Sequence, residues 1–360
     1  MHPKMREDIM KPVSLGIVGC GVIGRKHAAG AAAAEGVELV AVADLNAAAA
    51  AAVASEHGVG KVHPGGRELL ADPDVEAVVL ALPTSVRLEL VLEAFSRGKH
   101  VLTEKPVGMN AAEVEQMIAA RGELVAGCCS ARMRLLDSSR AATGFLAGGE
   151  LGPIRMLRCR GVIPARPRPE KLPPPWRLKR ELNGGGILAN WGCYDLDYIL
   201  GLTGWQLAPR TVLARTWTIP ERLRSHVVEG SDAETYAAAL ILCAGGEVIQ
   251  FERGEYAALP KDGAWQVLGE HGSLSLNMVP WDGQGTLLVR ADPEKGAVEE
   301  QVCEVEDDYS KVDRRLIEDF GAAVRAGRAP LTSLENALVV QKITDAIYAS
   351  TESGRAVDVD

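Results

Sequence analysis

A lysine stands between an acid and a proline in Glu104-Lys105-Pro106, directly after a hydrophobic run. The run, residues 99–103, predicts a strand of a parallel sheet, and ligands of such sheets gather outside the carboxyl ends of the strands. This position places a charged amine where the chemistry of a bound ligand would occur. We therefore interpret Lys105 as a candidate catalytic and substrate-binding residue; the alternative is an ordinary salt bridge with Glu104.

A glycine-rich segment near the start of the chain fits the pattern Gly-x-Gly-x-x-Gly. It reads Gly19-Cys20-Gly21-Val22-Ile23-Gly24, after a predicted strand and at the start of a predicted helix. In this context Gly19 permits a tight turn, Gly21 lets the backbone approach a pyrophosphate, and Gly24 allows close helix packing. The phosphate would bind at the helix amino terminus, where N–H groups and the helix dipole favour an anion.

Asp44 supports this interpretation, because it ends the second predicted strand, 20 residues after Gly24. A carboxylate there can accept a hydrogen bond from a ribose 2′-hydroxyl and repels a 2′-phosphate. Leu45 and Asn46 follow it and provide no positive charge, so we expect NAD rather than NADP. The alternative for Asp44 is a solvated strand end or a helix cap. The other predicted cofactor-binding residues are Leu45, Pro83, Thr84, Glu104 and Lys105.

A second group of polar side chains follows three glycines at residues 184–186. The helix predicted over residues 187–200 carries Asn190 and Tyr194 on one face, with Asp197 further along the same stripe. We interpret Asn190 and Tyr194 as candidate catalytic and substrate-binding residues; the alternative for each is a structural role. Asp197 is expected to brace the helix.

Composition excludes several classes of protein. The formal net charge of -9 argues against binding to nucleic acid or to an anionic membrane. The seven cysteines are odd in number and form no Cys-x-x-Cys pair, so we expect neither a disulfide framework nor a metal site. Residues 1–12 are polar, and no window approaches the roughly 20 apolar residues of a membrane span. A cytoplasmic protein is expected.

Two domains follow from the order of predicted elements. After a tail over residues 1–12, residues 13–132 alternate strands with helices, which predicts an α/β Rossmann domain with a parallel sheet. Residues 133–360 contain consecutive strands and two closing helices, which predict an α+β domain with a mainly antiparallel sheet. The predicted strands are 13–18, 37–43, 75–80, 99–103 and 124–129, then 210–217, 234–242, 247–253, 265–268, 273–277 and 285–289.

The glycine fingerprint, Glu104-Lys105-Pro106 and the glycine-rich segment before a helix, in this order, resemble the glucose-fructose oxidoreductase, inositol dehydrogenase and rhizopine-catabolism family (Gfo/Idh/MocA). Further matches are residues 149–154, residues 269–274 and the closing helix. The resemblance covers nearly the whole chain. It implies a Rossmann domain followed by an open-faced antiparallel sheet, with the substrate between them above the nicotinamide.

The resemblance also implies reversible oxidation of a sugar or cyclitol carbinol, with Lys105 at the reacting oxygen. Many members have aspartate and histidine where this chain has Asn190 and Tyr194. The ordinary pKa of tyrosine, near 10, does not suit proton transfer at neutral pH unless nearby positive charge lowers it. Some members carry tyrosine here, so our hypothesis is that Lys105 and Tyr194 handle the proton and Asn190 orients a neighbouring hydroxyl. The family sometimes has a cis bond at the position of Lys105-Pro106.

Three more residues gain an interpretation from the family, and a fourth, Trp176, gains one from its place in the sequence. Arg132 matches an arginine near the substrate, with an ion pair as the alternative. Trp176, in a proline-rich loop over residues 166–180, is interpreted as a substrate-side lid, with a core position as the alternative. Arg87 stands where relatives often have histidine near the nicotinamide, although a solvated helix face is favoured. His27 resembles a histidine with a packing role.

The expected partner is a small-molecule polyol, sugar or glycoside. In relatives the exposed face of the second domain's sheet commonly joins subunits, which implies a homodimer or homotetramer. Two other functions remain open: an NAD-dependent glycosidase that oxidises a ring carbon transiently and expels a leaving group, and a non-catalytic NAD-binding regulatory protein. Net formation of NADH would exclude the first alternative. Catalysis on a substrate panel would exclude the second.

Overall fold

The first part of the chain folds into a sheet covered by helices, because β-branched runs alternate with alanine-rich runs. The computed structural model describes residues 11–282, 286–303 and 305–359. Within them, six parallel strands lie in the order β3-β2-β1-β4-β5-β6. They are β1 (Val13–Val18), β2 (Val37–Ala43), β3 (Lys61–His63), β4 (Ala77–Leu80), β5 (His100–Thr103) and β6 (Ala126–Cys128). The order reverses between β1 and β4, which is the switch point where such sheets bind ligands.

Five helices accompany these described strands: α1 (Val22–Ala33), α2 (Ala47–His57), α3 (Gly66–Ala71), α4 (Arg87–Ser96) and α5 (Ala111–Arg121). Every residue of β4 is buried, as expected for a central parallel strand. The predicted parallel Rossmann sheet is confirmed. The prediction omitted β3, which has only three residues and little apolar character.

The contacts divide the chain into two compact units. Unit 1 contains the residues up to Arg132 and also Ser310–Leu338, and unit 2 contains Met133–Tyr309 and Val339–Asp360. The sequence prediction had assigned the returning segment to the second domain. It belongs to unit 1 because its helix α9 (Val312–Ala326) packs on α1: a Cβ on Gly30 would lie 2.9 Å from the carbonyl oxygen of Asp313.

Unit 2 contains a mainly antiparallel sheet, in which nine described strands lie in the order β14-β13-β12-β11-β7-β10-β9-β8-β15. Only the described pairing of β7 with β10 is parallel. The strands are β7 (Ile154–Pro164), β8 (Pro209–Thr218), β9 (Glu234–Cys243), β10 (Val248–Ala257), β11 (Asp262–Gly269), β12 (Gly272–Leu276), β13 (Thr286–Asp292), β14 (Gly296–Cys303) and β15 (Val357–Asp358). The predicted α+β class with an open-faced sheet is confirmed.

Helices pack on one face of this sheet and form the core of the unit. The helices that contribute residues to this core are α6 (Asp137–Ala147), α8 (Cys193–Leu202) and, from Val339 onward, α10 (Leu334–Ser353). The short helix α7 (Arg180–Asn183) contributes none of its residues to it. The core places Leu196 and Ile199 of α8 against Leu157 and Phe251 of the sheet. The list of predicted strands lacked β7, β14 and β15. Residues 1–10 of the predicted tail and Gly285 of a predicted strand lie outside the described residues.

Candidate functional site

The turn after β1 is built for close approach of a ligand to backbone. Gly19 has φ of 96°, and a Cβ on it would lie 2.4 Å from the carbonyl oxygen of Ala81. A Cβ on Gly24 would lie 1.8 Å from the carbonyl oxygen of Gly19, so the helix reaches the turn only with glycine there. Around Gly21, by contrast, no described atom lies within 4 Å of the Cβ position. The turn therefore fits a pyrophosphate at the amino terminus of α1.

Asp44 connects the end of β2 to this turn. Its Oδ2 accepts a hydrogen bond from the N–H of Cys20 at 2.7 Å, and its Oδ1 accepts one from the N–H of Asn46 at 2.7 Å. The cap of α2 is Asn46, whose Oδ1 accepts from the N–H groups of Ala48 and Ala49. Asp44 is thus not the helix cap. Leu45 and Val22 are exposed beside the turn.

Arg87, the first residue of α4, holds the loop after β4. Its Nη2 donates to the Thr84 hydroxyl at 2.8 Å, and its Nη1 donates to the Thr103 hydroxyl and to the carbonyl oxygen of Glu104. Because Arg87 is only 1% exposed, the favoured prediction of a solvated position was wrong. Pro83 is exposed and Thr84 is buried, and their contacts with a cofactor stay a prediction.

Lys105 follows β5 at the carboxyl ends of the parallel strands, where the glycine-rich turn also lies. Its N–H donates to Oε2 of Glu104 at 3.0 Å, so the carboxylate holds the backbone of the lysine. The Lys105–Pro106 peptide bond is cis, as the resemblance suggested. Lys105 is partly exposed, whereas Glu104 is buried.

Glu104 is in turn held by a buried arginine. Arg132 donates from Nη2 to Oε1 of Glu104 at 2.6 Å and from Nε to Oδ1 of Asp313 at 2.8 Å. Nε2 of His27 lies 2.8 Å from the same Oε1. The side chain of Arg132 is 2% exposed, so we withdraw its assignment to substrate binding: the ion pair, given as the alternative, is what the structure contains.

The charges of the residues around Glu104 set its protonation state. Burial alone would raise the pKa of Glu104, but the charge of Arg132 and the hydrogen bond with His27 outweigh it and hold the pKa well below its usual range. His27, Glu104 and Cys129 place ligand atoms within 4.8 Å of one another, as metal sites do. Arg132, however, already supplies a cation to the carboxylate. The donor set therefore does not fit a metal ion while Arg132 holds this position.

The candidate residues of unit 2 lie on a helix that is not regular. A π-helical turn, Leu188–Gly192, precedes α8 and contains Asn190. Such turns are frequent at functional sites. Asn190 is partly exposed, and Tyr194 is buried, with its ring edge-on to Trp191 at a centroid distance of 5.5 Å. The sequence predicted a regular helix here, because the hydrophobic pattern does not distinguish a regular α-helix from one that begins with a π-helical turn.

The glycines before this helix serve packing. A Cβ on Gly185 would lie 1.8 Å from the hydroxyl of Tyr348, and one on Gly186 would lie 1.8 Å from the carbonyl oxygen of Glu234. The Glu234 carboxylate accepts from the N–H groups of Gly186 and Leu188 and from the Tyr348 hydroxyl. Glu234 therefore fixes the start of the helix. The expectation that these glycines approach a ligand gains no support.

Two aspartates brace the same helix. Oδ1 of Asp197 accepts from Nε of Arg134 at 2.8 Å, which agrees with the expected bracing role. Oδ1 of Asp195 accepts from Nε1 of Trp265 at 2.9 Å and from Arg253 at 3.4 Å. The guanidinium of Arg253 lies over the ring of Trp191, 4.8 Å from its centroid. Trp191 is thereby held next to Asn190.

The loop that carries Trp176 is fastened to the rest of unit 2 by the two residues that follow the tryptophan. Nη2 of Arg177 donates to Oε2 of Glu255 at 2.5 Å, and the carbonyl oxygen of Leu178 accepts from the N–H groups of residues 232 and 233. Glu255 lies in a bulge of β10, where Tyr256 has φ of 57°. Trp176 itself is 40% exposed, so it is not a core residue. Its role as a lid stays a prediction.

Two family models match the chain over most of its length. An oxidoreductase-family model with an NAD-binding Rossmann fold matches residues 13–125, and the GFO/IDH/MocA C-terminal domain matches residues 139–275. The chain belongs to the GFO/IDH/MocA oxidoreductase family. Across its described residues, no helix combines the length and the hydrophobicity that crossing a membrane requires.

Several of the proteins to which this chain is similar are named for sugars. A 1,5-anhydro-D-fructose reductase of Ensifer adhaerens is 35% identical over 188 residues, 51% of this chain and 54% of its own length. The chain thus spans about half of that relative. A D-xylose 1-dehydrogenase (NADP(+)) of Haloferax volcanii is 26% identical over 96% of this chain and 99% of its own length. A levoglucosan dehydrogenase in complex with NADH and L-sorbose has a TM-score of 0.84 at 20% identity, covering 98% of this chain and 100% of that one, which shows the shared fold.

Several residues that build the site of this GFO/IDH/MocA member were not predicted from the sequence. Arg87 and Arg132 were singled out in the sequence, but the hydrogen bonds by which these buried arginines hold Glu104 were not predicted. Glu234 was not singled out, because a glutamate that opens a strand is an ordinary surface pattern. The role of Glu234 could have been predicted only by pairing this glutamate with the three glycines, and it lies 48 residues after Gly186 in the sequence.

Proposed function

We propose that the chain is an NAD-dependent oxidoreductase that transfers a hydride between nicotinamide and the carbinol or ketone carbon of a sugar, glycoside or cyclitol. The observation that carries this proposal is the placement of Lys105. It follows β5 on the sheet edge where the glycine-rich turn follows β1 and Asp44 follows β2. Membership of a sugar and cyclitol oxidoreductase family supports it.

The proposed roles follow the chemistry of the side chains. A bound NAD would supply the hydride acceptor. Lys105 binds the reacting oxygen through its ammonium group, which stabilises negative charge as the hydroxyl proton leaves. The Tyr194 phenol accepts or donates that proton, and the Asn190 amide orients a neighbouring hydroxyl of the substrate. Trp176 offers an exposed aromatic face to a sugar ring.

We propose NAD rather than NADP as the cofactor. Two acceptor oxygens of Asp44 stand at the end of β2, each already holding one backbone N–H and each with a further lone pair for a ribose hydroxyl. The same charge opposes a 2′-phosphate. Relatives of both kinds exist, since one is named as using NADP and a structural neighbour contains NADH.

The test is anaerobic mixing of the protein with NAD and a panel of polyols and sugars, with the absorbance of reduced nicotinamide as the signal. We expect turnover with at least one substrate and a loss of about 100-fold or more in Lys105→Met. Lys26→Met, at an exposed lysine of α1, is the control and should retain activity. No turnover by the wild type, or unchanged turnover in Lys105→Met, would contradict the proposal.

We also propose that two copies of the chain associate through the open face of the sheet in unit 2. Leu213 of β8 lies opposite Leu240 of β9, and the two are 52% and 40% exposed. Trp217, on the same face, is 52% exposed. Exposed apolar residues clustered on one face mark an interaction surface, and a second copy would cover them.

A further inference from the structure

A series of hydrogen bonds, with buried Glu104 and Arg132 at its centre, runs from Lys105 to the start of α9, in unit 1. Oε2 of Glu104 accepts from the N–H of Lys105, and Oε1 accepts from Arg132. Arg132 continues to Asp313, in the first turn of α9. The three links measure 3.0, 2.6 and 2.8 Å. Each is short enough to fix the geometry of its partners.

The burial of Glu104 and Arg132 makes this series of hydrogen bonds rigid. The side chains of Glu104 and Arg132 are 6% and 2% exposed, so water does not compete for their hydrogen bonds. Leaving either charge without its partner in such a place is costly, which makes the paired arrangement strongly preferred. The carboxylate therefore cannot rotate away from the N–H of Lys105 without breaking the pair with Arg132.

The far end of this series of hydrogen bonds is also fixed. Asp313 belongs to a helix that packs on α1 so closely that only glycine fits at position 30. His27 lies on α1, one turn before Gly30, and its Nε2 contacts the same carboxylate oxygen of Glu104. The helix that follows the glycine-rich turn thus contacts Glu104 directly, and the returning segment is connected to it through Arg132. This arrangement needs residues separated by more than 280 positions, from His27 to Asp313.

We propose that Arg132, acting through Glu104 and anchored by Asp313, is the positioning residue that sets the backbone and side chain of Lys105 for catalysis. The inference rests on the proposed function, in which Lys105 is the catalytic residue. Arg132 does not touch the substrate. Its loss lets Glu104 turn, and the amine then leaves the position in which it meets the reacting oxygen; a displacement of about 1 Å lowers the rate by about 100-fold.

The experiment compares Arg132→Met with a matched control in the same unit. Arg325 of α9 makes a two-point ion pair with Glu76. Glu76 precedes β4 and so lies at the amino ends of the parallel strands, whereas Lys105 follows β5 at their carboxyl ends. Arg325→Met therefore removes a two-point ion pair of α9 that is more exposed than the pair of Arg132 and does not involve the lysine or Glu104. We expect kcat to fall by about 30-fold or more in Arg132→Met and by less than 3-fold in Arg325→Met, with the Kd for NADH changed by less than 3-fold in both.

A second readout does not depend on turnover. Trace acetylation of the lysines, measured by peptide mass spectrometry, reports the accessibility of the Lys105 amine against the exposed Lys26 as internal reference. We expect the labelling ratio of Lys105 to Lys26 to rise at least 3-fold in Arg132→Met, because a lysine released from its half-buried position reacts faster. The ratio should not change in Arg325→Met.

Two milder variants keep the test usable if Arg132→Met does not fold. Asp313→Asn keeps Arg132 and Glu104 but weakens the anchor of Arg132. Arg132→Lys keeps the positive charge, but a lysine cannot span both carboxylates. Each variant should give an intermediate fall in kcat and an intermediate rise in the labelling of Lys105. Unchanged kcat and labelling in these variants, in an active wild type, would overturn the inference and leave the proposed function intact. A change in labelling without turnover in the wild type would support the positioning role and contradict the proposed function.

Discussion

The carboxylate of Asp44 accepts a hydrogen bond from the backbone N–H of Cys20 across 2.7 Å. The residue expected to select the cofactor is therefore also a support of the turn expected to bind its phosphates. This bond joins the carboxyl ends of β1 and β2, two neighbouring parallel strands, and β1 also borders the switch point between β1 and β4. Cofactor selection and turn geometry are thus coupled through one side chain.

We predict that Asp44→Asn weakens the binding of NADH and relaxes the preference for NAD over NADP. A hydrogen bond to a charged group contributes about 1.5–3 kcal/mol, so the Kd for NADH should rise about 10-fold or more. The amide oxygen still accepts one backbone N–H, which keeps the turn folded. Quenching of protein fluorescence by NADH and NADPH measures both affinities. A Kd for NADH that does not change would show that Asp44 supports only the turn.

The parallel sheet was predictable because its strands are short apolar runs and its helices are rich in alanine, so local pattern and tertiary role agree. The glycine-rich turn and Asp44 could be found for the same reason: both lie within 26 residues of Gly19. The returning segment was not predictable. The helix α9 has the pattern of any amphipathic helix, and nothing local indicates that Asp313 meets Arg132.

The helix with Asn190 and Tyr194 shows a second limit. Its position was predicted within two residues at the carboxyl end, but its π-helical turn was not. A widened turn depends on what the helix packs against, and a Cβ on Gly192 would lie 3.0 Å from Cζ of Phe251 on the sheet. Spacing along the sequence cannot report such a contact. The roles of Asn190 and Tyr194 therefore stay a prediction.

We predict that Tyr194→Phe lowers kcat for oxidation by about 100-fold, the usual contribution of a positioned proton acceptor. Tyr194→His should retain more activity and extend it to lower pH, because the ordinary pKa of histidine is near 6.5. Tyr198→Phe, at a fully buried tyrosine one turn along the same helix, is the control. The measurement is the pH dependence of kcat/KM. Equal effects of Tyr194→Phe and Tyr198→Phe would indicate a packing role.

Glu104 gives a prediction for acid stability. Its pKa in the folded chain lies well below the ordinary value of 4.5, so it contributes stability above that value and loses it as the pH falls toward the folded pKa. Glu104→Gln lacks this titration. The wild type should therefore exceed the variant in stability at pH 7, and the difference should shrink below about pH 4.5. Urea midpoints from far-UV circular dichroism at several pH values test this; a difference that stays constant with pH would contradict it.

The open face of the sheet gives a prediction for association. Leu240→Glu places a charge beside Leu213 and Trp217, where a second copy would have to bury it. We expect the wild type to sediment as a dimer or larger and the variant to shift toward the monomer. Val298→Glu, at a partly exposed residue of β14 near the edge of the sheet, is the control. Sedimentation velocity decides, and a monomeric wild type would remove the proposed interface.

Breaking the ion pair of Arg134 with Asp197 by removing one partner should strongly destabilise unit 2. The side chains of the pair are 6% and 0% exposed, and the guanidinium also lies over Trp205, 5.4 Å from the ring centroid. Removing one partner of a buried pair costs about 3–5 kcal/mol, because the other charge stays buried. We therefore predict a loss of this size in Arg134→Met, and a smaller loss when Asp197→Leu removes the second charge as well.

All six tryptophans lie between residues 176 and 281, so tryptophan fluorescence during urea unfolding reports unit 2 selectively. The control is Arg155→Met, which breaks the pair with Glu270 on the surface of unit 2, where exposed pairs contribute about 0–1 kcal/mol. The fluorescence transition should move strongly in Arg134→Met and hardly at all in the control. Equal midpoints for wild type and Arg134→Met would show that packing, rather than the ion pair, braces this helix.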